Sequence, residues 1–249
     1  MELSVEKRKT IALTFDADWA PDYVLQHLFS LLNRHGIRAT FFLTNPIEIE
    51  IPSNIEIGIH PDFRMTSPQG SDYNSIIDQM LTWFPNAGGV RNHCWHWDDS
   101  LYELFPAKGI EYDSSLFLPL HPGLLPTTAY GKLIRFPVWW TDNLHLYEKF
   151  ALDRVSIPRF DTNGLKVMIF HPLKVYLNPS SFDAGKKSSI LPTTNPTQEQ
   201  LESLRNPGVG LDTFFNELCS YLTQNGNQSY TLGELKDEYL NDSFNSLDI

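Results

Sequence analysis

The stretch Ile11-Ala12-Leu13-Thr14-Phe15-Asp16-Ala17-Asp18-Trp19-Ala20-Pro21 runs from an apolar segment straight into two carboxylates. Ile11 to Phe15 reads as a buried strand, so Asp16 and Asp18 fall where that strand ends and a loop begins. Two acids at i and i+2 repel each other unless a cation, a shared proton or a hydrogen-bond donor lies between them. In α/β folds, metal and catalytic sites gather at this end of buried strands. A capping turn for the next helix is the plainer reading of the same pair. Other segments must decide between the two.

Working outward, strand-like and helix-like segments alternate. Pro21 to His35 keeps Val24, Leu25, Leu28, Leu31 and Leu32 at helical spacing, and Gly36 closes it. Ala39 to Leu43 and Ile55 to Ile59 read as strands, and Asp72 to Phe84 as a helix capped by Asp72 or Ser75. A short strand starts at Val90 and leads into Arg91-Asn92-His93, and Ser100 to Phe105 suggests a helix. Further strands are expected at Leu133 to Trp139 and Leu165 to Phe170. Leu211 to Thr223 is an amphipathic helix, and a short element starts at Tyr230. This alternation predicts a mainly parallel sheet, either barrel or doubly wound. The polar stretch 178–207 has no periodicity and reads as a lid, a binding loop or partly disordered chain. No repeat and no second domain is visible. The tail from 241 to 249 is expected to fray.

Composition narrows the function. The chain has 249 residues, 41% of them hydrophobic and 13% aromatic, enough for one large core. Its net charge of −11 argues against nucleic acid and against docking on an anionic membrane surface. No run approaches the roughly 20 apolar residues of a membrane-spanning helix. Cys94 and Cys219 do not make a disulfide framework. Met1 to Lys7 lacks the pattern of a secretory signal, so the expected compartment is the cytoplasm.

Three further segments carry chemistry. Gly58-Ile59-His60-Pro61 and Ile169-Phe170-His171-Pro172 each end a strand in His-Pro, and Val90 to Asp98 holds His93 and His96 close behind Arg91. Any one of these histidines alone reads as an imidazole bonded to a backbone carbonyl. Parallel strands, however, bring their C-terminal ends to one rim. Three such histidines and an Asp pair would then share a site. Neutral imidazole plus carboxylate is the ligand set of zinc or a similar divalent ion.

Thr14-Phe15-Asp16 with Asp18, then Ala39-Thr40-Phe41-Phe42, then Gly58-Ile59-His60 together resemble the polysaccharide deacetylase (NodB-like) superfamily of carbohydrate esterases. The Arg91 segment, Gly109 to Ser115 and the late His171 follow in that family's order. The likeness spans about residues 9–240, which would form one deacetylase-like domain. It implies a distorted (β/α) barrel and metal-dependent removal of an acetyl group from an N-acetylated sugar. By position it makes Asp16 the general base, Asp18 a metal ligand, Arg91 the residue that orients the base, and His171 the acid.

One departure matters. The usual second motif carries two histidines four residues apart, but His60 is followed four positions later by Arg64. Arg91-Asn92-His93 in turn replaces the family's Arg-x-Pro. His93 is therefore the candidate third ligand, with His96 behind it. His-Pro in the second motif and Arg-x-His in the third resemble a branch associated with lipopolysaccharide O-antigen biosynthesis.

Around this centre, Trp95, Trp97, Trp139 and Trp140 are either core residues or faces for a sugar ring. Trp95 and Trp140 are the candidates for substrate contact, together with Asp142, which is also placed to orient His171. His121 and His145 read as surface residues. The backbone N–H of Ala17 or Trp19 is the candidate donor to an oxyanion. The resulting expectation is a zinc-dependent deacetylase acting on an N-acetylated sugar or sugar nucleotide. A carbohydrate-binding protein on a barrel that lost its metal, or a hydrolase of a non-sugar C–N bond, are the alternatives. The sequence does not give the oligomeric state.

Overall fold

A computed structural model describes residues 8–130, 132–188, 196–224, 226 and 228–245. The opening apolar run becomes β1 (Lys9–Asp16), buried from Thr10 onward. It pairs in parallel with β2 (Ala39–Leu43) on one side and β9 (Gly164–Phe170) on the other, with Leu13 opposite both Ala39 and Met168. Past β2 the sheet continues in parallel through β3 (Ile55–Ile59), β4 (Gly89–Val90), β5 (Tyr112–Asp113) and β7 (Leu133–Arg135). β6 (Thr127–Ala129) adds an antiparallel edge on β7, and β8 (Val138–Thr141) lies parallel on β9. The result is a nine-stranded, mostly parallel sheet in a single α/β domain.

The sheet curls into a distorted barrel. Its gap is spanned by the segment 116–120, which hydrogen-bonds to β8. The Val138 N–H donates to Leu116 O at 2.7 Å, and the Leu118 and Leu120 N–H groups donate to Val138 O and Trp139 O at 2.9 Å. The single strand expected over 133–139 is two strands, broken at Phe136-Pro137. Pro137 has no N–H to give a ladder, and here the chain leaves β5 for the neighbourhood of β9.

Helices follow the apolar spacing. α1 (Asp22–Arg34) buries Val24, Leu25, Leu28, Leu31 and Leu32, and Gly36 at φ +60° ends it. α2 (Tyr73–Trp83) is capped by Asp72, whose Oδ1 accepts from Ser75 N at 3.0 Å. α3 (Leu101–Ala107), α4 (Asp142–Tyr147), α5 (Pro172–Leu177) and α8 (Leu211–Gln224) complete the outer layer. Phe15 stacks on Phe41 at 4.2 Å, and Phe215 of α8 meets it edge-on at 5.7 Å, which joins that helix to the sheet.

The polar stretch 178–207 is more regular than its composition suggests. It contains α6 (Phe182–Ser188) and α7 (Gln198–Leu204), the latter opened by a capping box of Thr197 and Gln200. Residues 189–195 between them lie outside the described residues. The element after Tyr230 is α9 (Leu232–Asn245), 14 residues long. Part of the expected tail therefore continues a helix, and residues 246–249 lie outside the described residues.

Glu56 docks α9 at the N-terminal end of the barrel. Its Oε2 accepts from Gly233 N at 3.0 Å and from Thr40 Oγ1 at 2.7 Å, while Tyr112 OH donates to Oε1 at 2.9 Å. A Cβ at position 233 would stand 2.5 Å from Glu56 Oε1, so a side chain there would push the carboxylate out of this network. The opposite, C-terminal rim carries the large cavity. Among the described residues no helix is long and apolar enough to cross a membrane.

Candidate metal and catalytic site

β1 delivers Asp16 to the rim, and the chain then turns through Asp18 and Trp19, both left-handed at φ +45° and +57°. Two consecutive non-glycine residues in that region cost roughly 1–3 kcal/mol each. The turn is held by three bonds: Ala17 N to Phe42 O at 3.0 Å, Trp19 N to Thr44 Oγ1 at 2.9 Å and Ala20 N to Ala17 O at 2.8 Å. Both expected oxyanion donors, the amides of Ala17 and Trp19, are thus already committed to long-range partners.

Asp18, His60 and His93 converge. His60 Nε2 lies 3.3 Å and His93 Nδ1 3.1 Å from Asp18 Oδ1, and the two ring nitrogens are 3.2 Å apart. His60 Nδ1 donates to Arg91 O at 2.6 Å. A carbonyl only accepts, so the proton sits on Nδ1 and Nε2 presents its lone pair to the cluster. Asp18 is 32% exposed at its side chain, yet its Oδ1 is enclosed and takes no hydrogen bond. Ligands about 2.0–2.1 Å from a tetrahedral zinc lie roughly 3.3 Å apart, which is the spacing of these three atoms. The donor set and its geometry fit a zinc-like ion.

Electrostatics agree. Burial works against the Asp18 carboxylate, but His60 and His93 outweigh it and hold its pKa well below the usual range. Burial likewise disfavours charge on His93, and the negative charge of the adjacent Asp18 carboxylate still pushes its pKa up to about 10. This corner of the rim demands positive charge.

Arg91 is fully buried beneath Asp16. Its Nη1 donates to Asp16 Oδ1 at 2.8 Å and to Thr14 Oγ1 at 2.9 Å, while Nε and Nη2 are taken by Ser114 O and Ser114 Oγ, both at 2.8 Å. The guanidinium lies over the Phe42 ring at 4.3 Å. Gly58 makes room for that ring, since a Cβ there would sit 2.6 Å from it. Asp16 Oδ2 remains uncommitted among the described residues, and Asp16 lines the cavity.

His171 ends β9, and Pro172 starts α5 directly behind it. Asp142, fully buried at the start of α4, accepts from His171 Nδ1 and from its backbone N–H, both at 2.7 Å. Nε2 then faces the site, 3.6 Å from Asp18 Oδ2. Burial disfavours the imidazolium, but Asp142 prevails and the His171 pKa is raised. Asp142 itself is held low, against burial, chiefly by the charges of His171 and Lys174.

These groups open into one cavity of about 760 Å³, lined by Asp16, Asp18, His60, His93 and His171. Trp95 lies on its wall, 37% exposed and stacked on Phe117 at 5.2 Å. Trp140 does not reach it. A register shift in β8 between Val138 and Trp140 turns this indole to the core, against Phe170 at 5.0 Å and Phe214 at 5.6 Å. Asp142 also stays behind the wall, as the partner of His171 rather than a substrate contact. His96 is bonded to Tyr73 OH at 2.8 Å and takes no part in the cluster. His145, expected on the surface, is fully buried and packs on Phe214 at 4.1 Å, whereas His121 is exposed. Sequence reasoning missed the Asp62–Arg64 pair, two residues apart and joined at 2.8 Å.

The comparisons with known proteins follow the same lines. WbmS of Bordetella bronchiseptica, assigned to O-antigen biosynthesis as a polysaccharide deacetylase, is 28% identical, covers 86% of this chain and 91% of its own, and superimposes with a TM-score of 0.75. The peptidoglycan deacetylase PdaC of Bacillus subtilis shares the fold at 15% identity, a TM-score of 0.50 and coverage of 97% and 96%. No curated protein sequence matches the chain. A model of the WbmS-like polysaccharide deacetylases matches residues 13–189, a span that holds every residue of the site, and the chain belongs to that family.

Proposed function

We propose that this chain is a metal-dependent deacetylase that hydrolyses the acetamide of an N-acetylated sugar destined for a surface glycan, O-antigen or related, in the cytoplasm. The observation that carries the reading is the convergence of Asp18 Oδ1, His60 Nε2 and His93 Nδ1 within 3.3 Å of one another, with no hydrogen bond made to the enclosed Oδ1. These three side chains would hold a divalent ion, and two imidazoles with one carboxylate suit zinc. Such an ion supplies Lewis acidity towards a carbonyl and brings the pKa of water near 7.

The chain's own residues supply the remainder. Asp16, held through Oδ1 by Arg91, keeps Oδ2 free to take a proton from water. His171 carries a proton that Asp142 stabilises from behind, and its Nε2 faces the cavity, so it delivers that proton to the departing amine. Trp95 offers the apolar face of a sugar ring an open indole. The domain proposed for residues 1–240 runs on to Asn245, where α9 ends.

The test is metal content after reconstitution with zinc, together with acetate release from a set of N-acetylated sugars and sugar nucleotides. One equivalent of metal and turnover of at least one sugar are expected. A protein that takes up no zinc yet binds sugars would be a carbohydrate-binding module instead. Turnover confined to non-sugar amides would move the substrate class.

A further inference from the structure

The family pattern calls for an imidazole at position 64, where this chain has Arg64. With His93 completing the cluster, position 64 has no ligand duty, and Arg64 lines the same cavity. The guanidinium is not loose. Nε and Nη2 each donate at 2.8 Å to the two oxygens of Asp62, and the Arg64 backbone N–H adds a third contact at 3.1 Å. Asp62 is only 1% exposed and is tied down by its own N–H, which donates to Gln69 Oε1 at 2.6 Å. A fixed carboxylate therefore aims the fork from behind. Nη1 is left without a protein partner among the described residues, on a side chain that is 53% exposed.

The other cations near the site are spent on structure. Every nitrogen of the Arg91 guanidinium is bonded inside the barrel. Lys174 donates to Asn143 Oδ1 at 2.8 Å, lies 3.9 Å from Asp142 and is 6% exposed. Arg64 stands apart: it is oriented and accessible, and it is close enough to the Asp18 carboxylate to feel its charge. A chain of net charge −11 gives an anion no general attraction. An uncommitted guanidinium edge in the cavity supplies a local one, in the planar geometry that suits phosphate and carboxylate. The cavity, at about 760 Å³, is in the range of ligands larger than one sugar ring, so a substituent has room beside the acetamide.

We propose that Arg64 is a specificity residue that receives an anionic substituent, phosphoester or carboxylate, carried by the N-acetylated sugar. The acetamide at the metal corner rests on the deacetylase reading above, whereas anion recognition is measured by binding alone. The zinc-loaded full chain is titrated by calorimetry with N-acetylglucosamine, its 1-phosphate, its uridine diphosphate ester and its uronic acid. At least one anionic probe should bind about 10–100-fold tighter than the neutral sugar, as expected for a charge-assisted hydrogen bond. The phosphate and uronate arms tell the two sources of charge apart.

Arg64→Gln should remove most of that preference, and Arg64→Lys should retain part of it. No preference in the wild type overturns the proposal. So does a preference undiminished in Arg64→Gln, which would assign the anion to the metal. If Arg64→Gln misfolds because Asp62 is left buried and unpaired, Arg64→Gln with Asp62→Asn removes both charges and is titrated in its place. Acetate release without anion preference sinks this inference and spares the deacetylase reading; anion preference without acetate release from any probe does the reverse.

Discussion

His93 after β4 and His171 after β9 face one cavity, but their surroundings are built on opposite principles. Around His93, three atoms able to ligate a metal crowd together, a carboxylate oxygen and two ring nitrogens within 3.3 Å, with Oδ1 of Asp18 unbonded. Behind His171 the contacts are matched, since Asp142 takes both its Nδ1 proton and its backbone N–H, and Lys174 stands by. The first half of the rim is complete only with a cation. The second is complete as it stands and is organised to hold a proton. Buried polar groups are normally paired, so an enclosed carboxylate oxygen left unbonded beside two imidazole nitrogens is the stronger sign of a ligand.

The largest effect should come from breaking the incomplete half. His93→Ala removes one of the three proposed ligands, and zinc content should fall together with all turnover, to background. Elemental analysis beside acetate release checks this. Metal retained at full occupancy in His93→Ala would mean that another side chain completes the site, and the contrast between the two halves would be misdrawn.

Next is Asp16→Asn, which sits between the halves. It removes the proposed base but no proposed ligand, so zinc should stay while turnover falls about 10²–10⁴-fold. Metal loss as complete as in Asp18→Asn would show that the two aspartates share the ligand role.

How far the placement of these residues could be read beforehand depends on whether the deciding contact is local. Asp16, Asp18, His60 and His171 were legible because each directly follows an apolar run, and parallel strands bring such positions together. His93 was legible from the departure at position 64 and the Arg-x-His that replaces Arg-x-Pro. Trp140 was not, because the register shift in β8 that turns it to the core leaves no mark in the alternation of side chains. Nor were the spent amides of Ala17 and Trp19, whose acceptors Phe42 O and Thr44 Oγ1 arrive from another strand end. His145 owes its burial to Phe150 and to Phe214 of α8, and the latter is remote in sequence. The helix α7, by contrast, was written locally in the Thr197–Gln200 capping box, inside a stretch whose composition suggested none.

The third prediction probes the matched half. An amine leaves poorly as an anion, so His171→Ala should slow amide hydrolysis by about 10²-fold, the lower range for a lost general acid. Cleavage of an aryl acetate, whose leaving group needs no proton, should suffer only a few-fold, with zinc retained. Equal losses on both substrates would make His171 a positioning group, and the distinction between a cation half and a proton half would fail.

The smallest effect concerns His145, on the same helix as Asp142 but lacking an acid in bonding distance. Its Nε2 donates to Ala151 O at 3.0 Å, its Nδ1 has no partner, and burial pulls its pKa down to about 4. The imidazole therefore refuses in the folded state a proton that the unfolded chain accepts near its ordinary value of 6.5. Because the folded pKa is the lower one, this stability is present above pH 6.5 and is lost as the pH falls from 6.5 towards 4. Between pH 7 and pH 5 the loss should be about 2 kcal/mol. His145→Phe keeps the ring packing on Phe150 and Phe214 but cannot titrate, so its denaturant-derived stability should fall less steeply over that interval than the wild type's. Parallel curves for the two proteins would mean that His145 is protonated in the fold, and that Asp142 reaches both histidines of its half.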